Sequence, residues 1–200
     1  MTHPIDDSAR DIGPRDTEPR DTEPRDVAHA PAPSADEVAH GYAPPPEAGR
    51  TLVAVFASPV AGYLLRYGQD AGFRPVLVEP DPERARAAGG PGVTVVSSAD
   101  GYLDGTADVV LTDHHRAELG IVLRDALASE ARWVGIMGNP RHPAPHIPAL
   151  TELGVPPSEI ARVHRPIGLN IGSRTPAEIA VATLAGLIAD RNGRPGGFTH

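Results

Sequence analysis

Apolar residues are sparse along the first fifty positions of this chain. From residue 51 onward they gather in short, separated runs. Runs at 52–56, 75–78, 93–96, 108–111 and 132–137 are rich in Val, Ile and Leu, as strands buried on both faces are. Between them the spacing becomes helical. Pro59 suits the first turn of a helix that runs to about Asp70, where Gly72 ends it. Asp81 and Pro82 cap and open a short helix, and a further one spans about Arg116 to Ala128. Pro140, Pro143, Pro145 and Pro148 interrupt the next stretch, leaving a helix from about Pro148 to Leu153. Residues 160–164 fit a sixth, short strand. A last helix covers roughly 176–190, with Ile179, Ala180, Thr183, Leu184, Leu187 and Ile188 on one face. This alternation predicts an α/β fold: a Rossmann-like, doubly wound, mostly parallel sheet of five to six strands.

The first 49 residues follow another logic. A five-residue unit, Pro-Arg-Asp-Thr-Glu, starts at Pro14 and Pro19 and begins again at Pro24, and Pro44-Pro45-Pro46 closes the stretch. Such a segment has too little apolar surface to offset its ordering entropy. The sequence therefore predicts a disordered acidic tail over 1–49, a folded domain over 50–190 and a Gly-rich flexible end over 191–200.

Charge sharpens this division. The net charge is -8, and residues 1–49 hold eleven Asp and Glu against four Arg, while the remainder holds fifteen against fourteen. A near-neutral folded part lacks the basic excess of a nucleic-acid-binding domain. All eighteen basic residues are Arg, and Lys and Cys are absent. That excludes Schiff-base chemistry, a P-loop lysine, disulfides and thiolate ligands or nucleophiles. No run of about 18 apolar residues is present to span a membrane, and the polar, acidic N-terminus is unlike a secretory signal. Both features fit the cytoplasm.

Candidate chemistry concentrates in residues 162–181. Thr175, Pro176 and Glu178 form a Thr-x-x-Glu capping box with Pro at the first helical position. Gly168 and Gly172 precede it and allow close backbone approach, while His164, Arg165, Asn170 and Arg174 supply donors and charge. Helix-start amides with Arg side chains make an anion site. A bare helix cap with exposed arginines is the competing structural reading.

The first strand–turn–helix is where a dinucleotide fingerprint belongs. Its six positions read Ala57, Ser58, Pro59, Val60, Ala61 and Gly62, so only the third glycine remains. Glu79 ends the second strand where an acid would hold a ribose. The missing glycines argue against NAD(P) in the usual mode. His114 and His115, or His142 and His146, invite a metal reading, but no metal signature accompanies them, and no catalytic set assembles.

Four stretches resemble one family: residues 52–65, Leu111-Thr-Asp-His-His115, Trp133-Val-Gly-Ile-Met-Gly-Asn139, and above all Val163-His-Arg-Pro-Ile-Gly-Leu-Asn-Ile-Gly-Ser-Arg-Thr-Pro-Ala-Glu-Ile-Ala180. They resemble the C-terminal Rossmann domain of XdhC/CoxI proteins, accessory factors of xanthine dehydrogenase and related molybdenum hydroxylases, over about residues 50–190. The resemblance implies a chaperone rather than an enzyme. It would bind the molybdopterin form of the molybdenum cofactor and deliver it to the apo-hydroxylase.

In that reading His164, Arg165, Gly168, Asn170, Gly172 and Arg174 line the site. Ser58, Gly62, Glu79, His114, Gly138, Asn139 and Arg141 contribute from neighbouring strand ends. The chain departs from the family pattern in three places. A tail stands where relatives carry an N-terminal domain, which leaves either a diverged stand-alone paralogue or a chain that works with a separate partner carrying that domain. Ala57-Ser58-Pro59 replaces a glycine-rich turn, and Asn139-Pro140-Arg141 has one arginine fewer than usual. A homodimer is compatible with all of this, and a nucleotide-dependent oxidoreductase or a ligand-free scaffold are the alternatives.

Overall fold

The computed structural model describes residues 34–41, 49–139 and 141–197, in two units, 1–46 and 47–200. In the first unit α1 (Ala35–Ala39) is one short helix. Ser34 caps it, and the Glu37 carboxylate returns to the Ser34 amide at 2.8 Å, so a local Ser-x-x-Glu box suffices to form a turn. The Pro-Arg-Asp-Thr-Glu repeats lie outside the described residues.

The second unit is built on β1 (Thr51–Val55), β2 (Arg74–Val78), β3 (Thr94–Val96), β4 (Ala107–Leu111) and β5 (Trp133–Ile136). All pairings are parallel, in the order β3-β2-β1-β4-β5. Val53 lies opposite Val76 and Val109, so alternate side chains stack in rows across the sheet. Val53, Val55, Val76, Val78, Val109 and Leu111 face one layer, covered by α4 (Leu119–Ala128) and α5 (His146–Glu152) through Leu123, Leu127 and Leu150. Leu52, Ala54, Leu77 and Val110 face the other, covered by α2 (Pro59–Asp70) and α7 (Pro176–Arg191). Leu64 of α2 is fully buried there, and burying one such leucine contributes about 1.5–3 kcal/mol. The short helices α3 (Pro82–Ala87) and α6 (Pro157–Ile160) bury no residue.

Two expectations need correction. The stretch 160–164 is not a strand: α6 takes its start, and only His164 bridges to Gly135. The His164 amide donates to Val134 at 3.0 Å, and the Ile136 amide donates to His164 at 3.1 Å. Pro166 has no N–H to continue the ladder, so pairing stops after one residue. The helix expected from about Arg116 begins at Leu119, whose amide donates to the Arg116 carbonyl at 3.2 Å in a turn that precedes it. At the other end of the proline-rich stretch α5 starts two residues early. Pro148 falls in its first turn, where a missing N–H costs nothing.

The amino edge of the sheet is locked by Asp108, fully buried on β4. Arg132 reaches one of its oxygens at 2.7 Å, and Arg191, the last residue of α7, reaches the other at 2.6 Å. That contact fixes the direction of α7. Its C-terminus lies at the amino edge, so its N-terminus lies at the carboxyl edge.

Candidate anion-binding site at the carboxyl edge

The chain leaves β1 towards β2 on one side and β4 towards β5 on the other, so the gap between β1 and β4 is the topological switch point where such sheets bind ligands. Here polar contacts close it. Ser58 caps α2, accepting from the Ala61 amide at 3.0 Å, and its hydroxyl donates to the Thr112 hydroxyl at 2.9 Å. Thr112 in turn donates towards the Phe56 carbonyl at 2.7 Å. Phe56 is buried with φ of 71°, a left-handed conformation that a bulky side chain adopts only under constraint. The Arg116 guanidinium lies 4.6 Å above the Phe56 ring and reaches past β1 to Glu79.

Glu79 corrects the ribose expectation. It is fully buried, and both oxygens are engaged. One accepts from the Ala57 amide at 2.8 Å and Arg116 Nη1 at 3.0 Å, the other from the Asp81 amide and Arg116 Nη2, each at 3.0 Å. Burial alone would raise its pKa. The Arg116 hydrogen bonds, with the two amides and the Arg116 charge, outweigh that and hold the carboxyl below the ordinary range. Glu79 is a strut, and Arg116 occupies the space above β1. Gly62 is exposed in the first turn of α2, where it lines a cavity with Ala57 and Ser58 and an added Cβ would meet nothing within 4 Å.

The ends of β4 and β5 carry the cations. After β5, Gly138 makes room for the Arg165 side chain: a Cβ there would come 2.8 Å from Arg165 Nε. Arg165 Nη2 donates to the Asn139 carbonyl at 2.9 Å and faces the His142 and Pro143 carbonyls at 3.2 Å each. The Asn139 side chain accepts from the Arg141 amide at 2.9 Å, which turns the loop and leaves the Arg141 side chain exposed. Gly135 has a parallel role, since a Cβ there would meet the Trp133 ring at 2.2 Å. That ring stacks on His164, with centroids 4.7 Å apart and planes 11° from parallel. Both glycines of Trp133-Val-Gly-Ile-Met-Gly-Asn139 therefore seat the side chains of other residues.

His114 lies at the end of β4. Burial lowers its pKa, and the charges of His115, Arg165 and His142 lower it further, against an opposing pull from Asp113. These side chains share one electrostatic neighbourhood. Among the described residues no carboxylate pairs with Arg141, Arg165 or Arg174.

The loop into α7 is partly what the sequence predicts. Thr175 caps the helix and the capping box is complete. The backbone anion seat is another matter. Glu178 accepts from the Arg174 amide at 2.8 Å and the Thr175 amide at 3.1 Å, and Pro176 has no N–H, so the helix start is largely satisfied by its own carboxylate. Gly168 is also not a ligand-approach glycine. With φ of 81°, it packs on the backbone of α7, where a Cβ would come 2.9 Å from Ala182 and Thr183, with Gly186 of α7 opposite. Gly172, with φ of 70°, is a turn glycine with open space around it. Asn170 and Arg174 present exposed side chains nearby.

The structure thus brings His114, Arg141, Arg165, Arg174 and the exposed edge of His164 to the carboxyl side, and diverts Ser58, Glu79, Gly138 and Gly168 to support. Sequence reasoning missed the parts played by Arg116 and Trp133, and it weighed His146 only as a metal candidate, whereas the side chain is buried. No group of three or more His, Asp or Glu able to hold a metal occurs among the described residues, and no described helix is long and apolar enough to cross a membrane.

Fold and site together define a Rossmann-type domain with a cationic surface at its carboxyl edge. The chain belongs to the XdhC family, whose Rossmann-domain model matches residues 52–187. Over 66 residues, 33% of its length, it is 42% identical to YqeB of Escherichia coli K12, which is described as uncharacterized, and the match spans only 12% of that protein. A solved structure described as a xanthine dehydrogenase from Bacillus halodurans shares the fold, with a TM-score of 0.60 at 21% identity, covering 72% of this chain and 45% of that one.

Proposed function

We propose that this chain is a molybdenum-cofactor-binding accessory protein that serves maturation of an apo xanthine dehydrogenase-type hydroxylase in the cytoplasm. The observation that carries the reading is Arg165. It is held over Gly138 by three carbonyls, has no carboxylate partner among the described residues, and stands with Arg141, Arg174 and His114 at the carboxyl edge. Molybdopterin is an anionic, phosphate-bearing group, and a set of unpaired arginines fits it. The residues present suit its phosphate and pterin rather than direct ligation of the metal. Glu178 takes the helix-start amides, so side chains would hold the phosphate. Family membership supports an accessory role, and a separate protein carrying the N-terminal domain would complete the assembly.

The test is recovery of the protein from a molybdenum-competent host, with mass and absorbance analysis of the small molecule that copurifies. Molybdopterin is expected, and Arg165→Ala combined with Arg174→Ala should deplete it. Retention undiminished in the double variant would overturn the site assignment.

A further inference from the structure

His164 holds its ring flat against Trp133, with centroids 4.7 Å apart and planes 11° from parallel. Both partners are held in place. The His164 amide and carbonyl are tied to Val134 and Ile136 of β5, at 3.0 and 3.1 Å, so its backbone cannot swing away. The Trp133 ring can lie along the strand because Gly135 has no side chain: a Cβ there would come 2.2 Å from it. The indole is buried in the layer that holds Leu52, Leu184 and Leu187, whereas His164 is exposed. Among the described residues no second ring or cation lies over the imidazole, and neither of its nitrogens has a hydrogen-bond or ion-pair partner. One face of this ring is therefore covered by indole, and the side chain meets solvent otherwise. A ring fixed in its plane before a ligand arrives loses little rotamer freedom on binding.

Exposed, pre-oriented aromatic rings are surfaces on which proteins stack flat nitrogen heterocycles, because every such heterocycle has a π face. We propose that the Trp133–His164 pair is a stacking platform for a planar nitrogen heterocycle, which is the pterin of the molybdenum cofactor. The identity of the heterocycle rests on the cofactor reading above, and the platform adds a division of labour to it. His164 receives the ring by its face, which is a matter of shape, while the arginines receive the phosphate by its charge. Trp133 and Gly135 are positioning residues: they set the plane of the imidazole without meeting the ligand.

The probe is neopterin, an uncharged pterin without phosphate, titrated into the full-length 15N-labelled protein. Glycerol 3-phosphate, which has the phosphate and no ring, is the control. Trp133 is the chain's one tryptophan, so a single indole peak reports on the stack. Neopterin should shift that peak and the His164 amide saturably, and glycerol 3-phosphate should leave both in place. His164→Ala should weaken neopterin binding roughly five- to 150-fold, the usual worth of one stacked heterocycle. His164→Phe, which keeps a flat ring over the indole, should restore most of it. A linear titration, the same shifts from glycerol 3-phosphate, undiminished affinity in His164→Ala, or no rescue by His164→Phe would each overturn the proposal. Full molybdopterin retention by His164→Ala, where Arg165→Ala with Arg174→Ala depletes it, would overturn the platform and leave the cofactor reading standing. Neopterin bound on His164 with no molybdopterin copurified would overturn the cofactor reading and leave the platform.

Discussion

Arg116 grips Glu79 through two hydrogen bonds of 3.0 Å each, spanning the end of β1 from β4 to β2. Removing only one partner strands a charge in the interior. Arg116→Ala is therefore expected to cost about 3–5 kcal/mol, whereas replacing both residues with apolar ones should cost much less. Urea unfolding of the single and double variants checks this.

The same pair sets an acid dependence. The folded-state pKa of Glu79 is depressed, so its contribution is complete above the unfolded pKa of about 4.3 and is lost as pH falls through the folded value. The stability gap between wild type and Glu79→Gln should be constant from pH 7 down to about pH 5 and close below the unfolded pKa. A gap that widens on acidification would contradict the assignment.

Gly168 and Gly172 both have positive φ, but only Gly168 faces backbone. Gly172→Ala should cost about 1–2 kcal/mol, the usual penalty for a left-handed residue with a Cβ. Gly168→Ala adds a clash with α7 at 2.9 Å and should cost more, with the loop amides shifting in NMR spectra. Equal costs would mean that loop and helix do not meet as described.

Thr175→Ala should destabilise α7 by about 1 kcal/mol, the typical loss of an N-cap. Glu178→Ala should do something a simple cap loss does not. It frees the Arg174 and Thr175 amides and removes a negative charge, so phosphate binding should strengthen even as the helix weakens. Calorimetric titration with phosphate reads the sign.

Binding at the cationic surface should also depend on pH. The His114 pKa lies below its ordinary value of about 6.5, so the imidazole is neutral at pH 7 and gains charge only in more acidic solution. Phosphate affinity should rise as pH falls through that lowered value, and His114→Gln should flatten the rise.

What could be read from the sequence was local. The strands at 51–55 and 107–111 announce themselves as apolar runs, and the Thr175 capping box needs only four residues. What could not be read depends on partners distant in sequence. Arg116 meets Glu79 across 37 residues, and Gly168 meets the Ala182 backbone rather than a ligand. The expected sixth strand failed because α6 and the turn after it take residues 157–163, leaving only His164 to bridge to Gly135. The histidines were weighed as a metal pair, and His146 proved to be a buried side chain on a cavity wall.

The closure of the switch point by Ser58, Thr112, Arg116 and Glu79 bears on how such a protein would handle cargo. In a sheet whose crevice waits for a nucleotide, the empty and loaded states differ in rigidity. Here the closing hydrogen bonds run among the chain's own side chains and backbone, and none involves the exposed Arg141 or Arg174. On the proposed reading, a carrier with this internal bracing would release its cargo without exposing the core.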